Sequence, residues 1–160
     1  MYFCILLKDR PVSTKKEILI FCRQELEAKA HQIKEKLDEL VSDAENDSKS
    51  SAGDKHETAR AMMQLEQEKL ITQFNEIDRQ LEILATINPD NEMTTVRNGA
   101  LIETDKGNIF VSIPLGKIRL KDSDYMVVSS VAPLVKVMMN AKKKDTVSFN
   151  GTNYLIKKIS

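Results

Sequence analysis

Glu45-Asn46-Asp47-Ser48-Lys49-Ser50-Ser51-Ala52-Gly53 separates two long stretches that otherwise share one texture. Ser, Asn, Asp and Gly favour turns, because their short side chains compete for backbone hydrogen bonds or leave the backbone free to bend. Upstream, from Thr14 to about Ala44, there is neither Pro nor Gly, and Leu19, Cys22, Leu26, Ala30, Ile33, Leu37, Leu40 and Ala44 recur every three or four residues. Downstream, from Asp54 to Ile87, Ala59, Met63, Leu70, Phe74, Ile77, Leu81 and Leu84 do the same, with Glu66 and Gln67 where one apolar residue is missing. The spacing predicts helices, and so narrow an apolar stripe reads as a coiled-coil seam. Ser13 or Thr14 suits the first helix start, with Glu17 completing a capping box from Thr14, and Asn88-Pro89-Asp90-Asn91 ends the second helix. A continuous helix through Gly53 and the serines is disfavoured. Residues 14–88 are therefore predicted to form an antiparallel coiled-coil hairpin with its tip at 45–57, roughly 45 Å long at 1.5 Å per residue.

After Asn91 the period changes. Residues 100–104, 108–113, 125–129, 146–149 and 154–159 are short runs rich in β-branched or aromatic side chains, which predict strands. Asp105-Lys106-Gly107 and Asn150-Gly151-Thr152-Asn153 read as hairpin turns. From Ala132 to Asn140 the apolar spacing is helical, with Pro133 suited to the first turn and Asn140 to a left-handed closing residue. The expected class is α+β: the hairpin, then a small β-rich domain over 92–160 with one short helix.

Composition narrows the function. Among 160 residues, 24 Lys and Arg balance 24 Asp and Glu, so net charge is zero, and autonomous DNA binding, which needs a basic excess, is not expected. Residues 1–89 carry 13 basic and 17 acidic side chains, and residues 90–160 carry 11 and 7. No apolar run reaches the ~20 residues of a membrane span. The opening Met1-Tyr2-Phe3-Cys4-Ile5-Leu6-Leu7 lacks a preceding basic residue and a cleavage site, so residues 1–13 read as a loose leader and the protein as cytoplasmic. Two cysteines and two histidines cannot furnish a disulfide framework or most catalytic metal sites. Cys22 falls on the apolar seam, where cysteine behaves as a small hydrophobe. There is no serine elbow and no glycine-rich phosphate loop.

The chemistry that remains lies at the tip, in Gly53-Asp54-Lys55-His56-Glu57. Asp54 and Glu57 are three apart, so both side chains emerge on one side of the first turn of the second helix. An acid at the cap with another three residues on is also an ordinary capping arrangement. The end of a long hairpin, however, is suited to insertion into another molecule.

Hairpin, acidic tip and β-rich domain together resemble the bacterial Gre transcript-cleavage factors. Their tip motif begins Gly-Asp, then two variable residues, then Glu, and Gly53-Asp54-Lys55-His56-Glu57-Thr58-Ala59 is similar to it, with Thr58 where the family has Asn. Pro133-Leu134-Val135-Lys136-Val137-Met138-Met139-Asn140-Ala141-Lys142-Lys143-Lys144-Asp145 resembles a second family stretch in unbroken register, with Val135, Asn140 and Lys144 replacing glycines. The resemblance implies an FKBP-like carboxy-terminal domain that docks on RNA polymerase through Pro133, Lys136, Lys142, Lys143 and Asp145. It implies a coiled coil that enters the polymerase's secondary channel, and catalytic acids Asp54 and Glu57 that help hold a Mg²⁺ shared with the polymerase beside the nascent RNA 3′ end. Such a factor is not itself an enzyme; it stimulates the polymerase's own RNA hydrolysis. Two other readings stay open at this point: a polymerase-binding modulator or inhibitor without cleavage, and a structural coiled-coil adaptor.

Overall fold

The computed structural model describes residues 13–47 and 53–160, save the side chains of Asp47 and Asp54. The expectations for residues 1–12, Cys4 included, and for the stretch 48–52 lie outside those residues. The fold is α+β: two long helices packed together, then a six-stranded mixed sheet with one short helix. Two compact units result. One is Arg23–Ala85; the other takes Thr86–Ser160 together with the start of the first helix up to Cys22. No helix among the described residues is long and apolar enough to cross a membrane.

Helix α1 spans Thr14–Asp47 and α2 spans Asp54–Ala85. The start of α1 corrects the expected capping box. Ser13 is the cap, accepting the Lys16 N–H on its hydroxyl at 3.3 Å, so Glu17 falls one position too late to reach back. Its carboxylate instead accepts from the Lys121 ammonium at 2.8 Å. At the other end α1 runs three residues past Ala44, because Glu45, Asn46 and Asp47 each cost only fractions of a kcal/mol in a helix, up to ~0.7.

Within Arg23–Ala85 the helices run in opposite senses. The Lys34 ammonium lies over the Phe74 ring at 5.2 Å from its centre, Ile33 and Ile77 share one groove, and Leu40 shares another with Met63 and Gln67. Burial along the seam is graded. Leu26, Ile33, Leu70, Ile77 and Leu84 are buried, whereas Leu37, Leu40 and Met63 are half-buried and Ala44 is exposed. Gln67 faces that looser end, where an amide replaces the expected apolar group.

The sheet unit is built from β1 (Leu101–Thr104), β2 (Gly107–Ser112), β3 (Gly116–Leu120), β4 (Ser123–Ser129), α3 (Pro133–Met138), β5 (Thr146–Phe149) and β6 (Thr152–Ile159). Strand order is β3-β4-β2-β1-β6-β5; β2 and β4 are parallel and the other neighbours antiparallel. The expected strands are present, and β3 is an addition. Its alternation of Lys117 and Arg119 with buried Ile118 and half-buried Leu120 is the period-two pattern of a half-buried edge strand. Lys121, at φ 54°, turns the chain into β4 without the glycine that usually signals a hairpin.

Strand alternation gives the sheet two apolar faces. Ile102, Ile109, Val111 and Ile156 pack with Val135 and Met138 of α3 and with Met93, Val96 and Ala100 of the preceding loop. Leu101, Phe110, Ile118 and Val127 point the other way and are also buried. Ile18 and Cys22, both fully buried, belong to this unit too, tied to it by the Glu17–Lys121 ion pair and the Lys15–Asn91 hydrogen bond. Fully burying a side chain of this size is worth roughly 1.5–3 kcal/mol. A sheet with two apolar faces needs cover on both, which is why the first turns of α1 fold with the later half of the sequence.

Candidate functional site

The tip acids begin with a backbone fact. Gly53 sits at φ 70°, a left-handed conformation that costs glycine little, and α2 starts at the next residue, Asp54. The His56 N–H donates to the Gly53 carbonyl at 3.0 Å, closing the first turn. Asp54 and Glu57 are thus one turn apart at the amino-terminal end of a 32-residue helix. Glu57 is exposed, His56 is half-buried between them in sequence, and Lys55 is exposed. The Asp54 side chain is not among those described. Helix starts favour anions, since unpaired N–H groups and the aligned peptide dipoles both present positive charge there.

The second group of sequence-selected residues gathers at α3 and the turn after it. Pro133 occupies the first turn of α3 and is exposed, as is Lys136; Val135 and Met138 of the same helix are wholly buried. Asn140 closes the helix at φ 65°, the left-handed conformation expected for it. Its N–H donates to the Val96 carbonyl, and the Val96 N–H donates to Ala141, both at 2.9 Å. Lys142 to Asp145 then form a pinned turn. The Asp145 N–H donates to the Lys142 carbonyl at 3.1 Å, and the Asp145 carboxylate accepts the Lys142 N–H at 2.7 Å. Asp145 therefore holds the turn, while the ammonium groups of Lys142 and Lys143 are left exposed. Lys144, at φ 77°, is fixed by donation from its N–H to the Ile156 carbonyl at 2.8 Å.

Sequence reasoning did not single out the apolar side chains beside these lysines. Val131 is 67% exposed, Val137 49% and Met139 37%. Helical spacing counts Val137 with Leu134 and Met138 on the apolar face; only the packing shows that Val137 points outward and that Val135 is buried instead. Along the chain from Val131 to Lys143, exposed apolar side chains thus alternate with exposed cations, a composition that interaction surfaces use.

A polar cavity of about 560 Å³ in the sheet unit is lined in part by Lys15, Glu103, Asn108, Tyr125 and Lys158. Lys15 is buried with its ammonium donating to the Asn91 carbonyl at 3.2 Å; burial pushes its pKa down, and the Arg97 charge adds to this. Glu103 and Lys158 pair across the β1–β6 ladder at 3.6 Å. None of its lining residues was selected from sequence for a binding or catalytic role, and its mixed charges favour neither an anion nor a cation. Among the described residues, no group of three or more His, Cys, Asp and Glu side chains is arranged to hold a metal. Compared with known proteins, no family model matches this chain, and no curated protein matches it at a significant level.

Proposed function

We propose that this protein is a cytoplasmic, Gre-like elongation factor whose paired helices form a coiled coil that carries Asp54 and Glu57 into RNA polymerase's secondary channel. In this reading the sheet unit is FKBP-like and docks on the polymerase through the α3 surface, with Pro133, Lys136, Lys142, Lys143 and the turn held by Asp145. The observation that carries the reading is the start of α2: Gly53 in a left-handed turn, Asp54 as the first helical residue and an exposed Glu57 one turn later. Independent support comes from the second motif. Two of the three positions where the family pattern has glycine, Asn140 and Lys144, adopt φ values of 65° and 77°. A backbone that demands left-handed residues at those two positions is what glycine there would serve.

Carboxylates are hard oxygen ligands of the kind Mg²⁺ accepts, and it is commonly held by one or two of them with waters and phosphate oxygens. Asp54 and Glu57 fit that role, with the polymerase supplying the remaining ligands. Bound there, Mg²⁺ would supply activation of a water and stabilisation of the departing oxygen of the RNA phosphodiester. The chain's own part is to bring two negative side chains to a place where nascent RNA has backed out of register. The test adds purified protein and Mg²⁺ to a backtracked elongation complex. Shortened RNA is expected with the natural chain, and a loss of at least about 100-fold in cleavage rate with Asp54→Ala or Glu57→Ala. Unchanged cleavage in both variants overturns the catalytic role.

A second reading, docking without cleavage, is favoured by Thr58 standing where the family has Asn and by Arg60 and Ala61 where it has an aromatic residue. A plug of this kind slows nucleotide addition in complexes that are not backtracked, whereas a cleavage factor does not.

A further inference from the structure

The chain contains two Asn-Gly dipeptides, Asn98-Gly99 and Asn150-Gly151, which are equivalent as sequence. We propose that Asn150 is a site of spontaneous deamidation to aspartate and isoaspartate, and that the fold protects Asn98 from the same reaction. In this reaction the backbone nitrogen of the following residue attacks the asparagine side-chain carbonyl carbon. A nitrogen–carbon bond forms, the amide nitrogen leaves as ammonia, and a five-membered imide remains. Water then opens the ring at either carbonyl, giving aspartate or its isomer with the backbone rerouted through the side chain. No redox partner is needed, and glycine accelerates the attack because it has no Cβ to crowd its nitrogen.

The two sites differ in what the attacking nitrogen is doing. The Gly99 N–H donates to the Val111 carbonyl at 2.7 Å, a short bond that ties the nitrogen into the sheet unit. Gly99 is buried, with Ile87 Cγ2 at 3.0 Å and Met93 Cε at 3.3 Å from where a Cβ would stand. Rotation of the Asn98–Gly99 peptide would break that hydrogen bond inside a packed core. At Asn150-Gly151 the surroundings are the reverse. The dipeptide is the exposed two-residue turn between β5 and β6, where Phe149 pairs with Thr152. Among the described residues no backbone carbonyl accepts the Gly151 N–H, and nothing lies within 4 Å of its would-be Cβ. Both residues hold left-handed conformations, φ 49° and 77°, at the exposed turn of the hairpin that ends the sheet in edge strand β5.

Conversion has a structural consequence. Aspartate at 150 adds a negative charge to the sheet unit, and isoaspartate adds a backbone atom to a turn that has room for two residues only. The β5–β6 register then slips at the Phe149–Thr152 end. The experiment incubates the full chain at mildly alkaline pH and maps its peptides by mass spectrometry over time, with isoaspartate detected by enzymatic methyl transfer. Asn150 is expected to convert at least about tenfold faster than Asn98 in the folded chain. In denaturant the two rates are expected to converge. Equal rates in the folded chain, faster loss at Asn98, or a difference that persists in denaturant would overturn the proposal. Gly151→Ala supplies a control that leaves Asn98 untouched and is expected to slow the reaction at 150.

Discussion

Lys144 shows how a single residue's backbone angle converts to stability. At φ 77° its side chain crowds the following carbonyl, at a cost of roughly 1–2 kcal/mol. Glycine removes that cost but gives up roughly 0.5–1 kcal/mol of unfolded-state freedom. Lys144→Gly is therefore expected to stabilise the chain by a few tenths up to about 1 kcal/mol in urea unfolding. Asn140→Gly should change little, because asparagine already tolerates that conformation. A clear loss of stability in Lys144→Gly would refute the strain argument. Asp105 gives a pH-dependent counterpart. It accepts the Leu155 N–H at 2.8 Å, which is the main cause of its carboxyl being held below the ordinary value, with Lys106 beside it adding to the effect. A depressed folded-state pKa contributes stability above the unfolded value and loses it as pH falls through the folded value. The urea midpoint of Asp105→Ala should thus lie below that of the natural chain at neutral pH and approach it as pH falls below the ordinary carboxylate value, about 4. A gap of constant size across that range would show that the carboxylate's charge is irrelevant.

At the scale of elements, the apolar period made both long helices legible, but not their ends. Glu45 to Asp47 have turn-forming chemistry yet remain helical, since propagation of a formed helix outweighs small propensity differences. The same local view missed β3, whose turn lacks glycine, and it misassigned Glu17 to a capping box when Lys121, more than a hundred residues away in sequence, supplies its partner. Within Arg23–Ala85, Gln67 lines a groove with Leu40, Val41, Ala44 and Met63 at the loosely packed end of the pair. Gln67→Leu is expected to raise the stability of that unit by about 1 kcal/mol, read as a shift of the helical unfolding transition. A neutral or destabilising result would mean that the groove is wetter or shallower than its apolar lining implies. On the candidate site, spacing pointed to Asp54 and Glu57, and the family resemblance implied Pro133, Lys136, Lys142, Lys143 and Asp145. Neither revealed that Asp145 holds a turn or that Val131, Val137 and Met139 face outward.

Over the whole molecule, charge is divided: residues 1–89 carry four more acids than bases, and residues 90–160 four more bases than acids. With no net excess, few counterions are released on contact with a polyanion. Binding to duplex DNA at physiological salt is expected to be weaker than about 100 μM in a mobility-shift titration. A shift at low micromolar protein would contradict that and redirect attention to the basic sheet unit. Sequence alone determined the class and, β3 apart, the order of the elements, because apolar periodicity and turn chemistry are local properties that side chains express wherever the chain goes. It also marked the acid pair after Gly53, since spacing along a helix fixes which side chains share a turn. Only the tertiary structure decided that the first turns of α1 fold with the sheet, that β2 and β4 run parallel, and which of two identical Asn-Gly pairs is tied down. Those outcomes depend on partners distant in the sequence, and a buried face or hydrogen bond has no signature until its partner is in place.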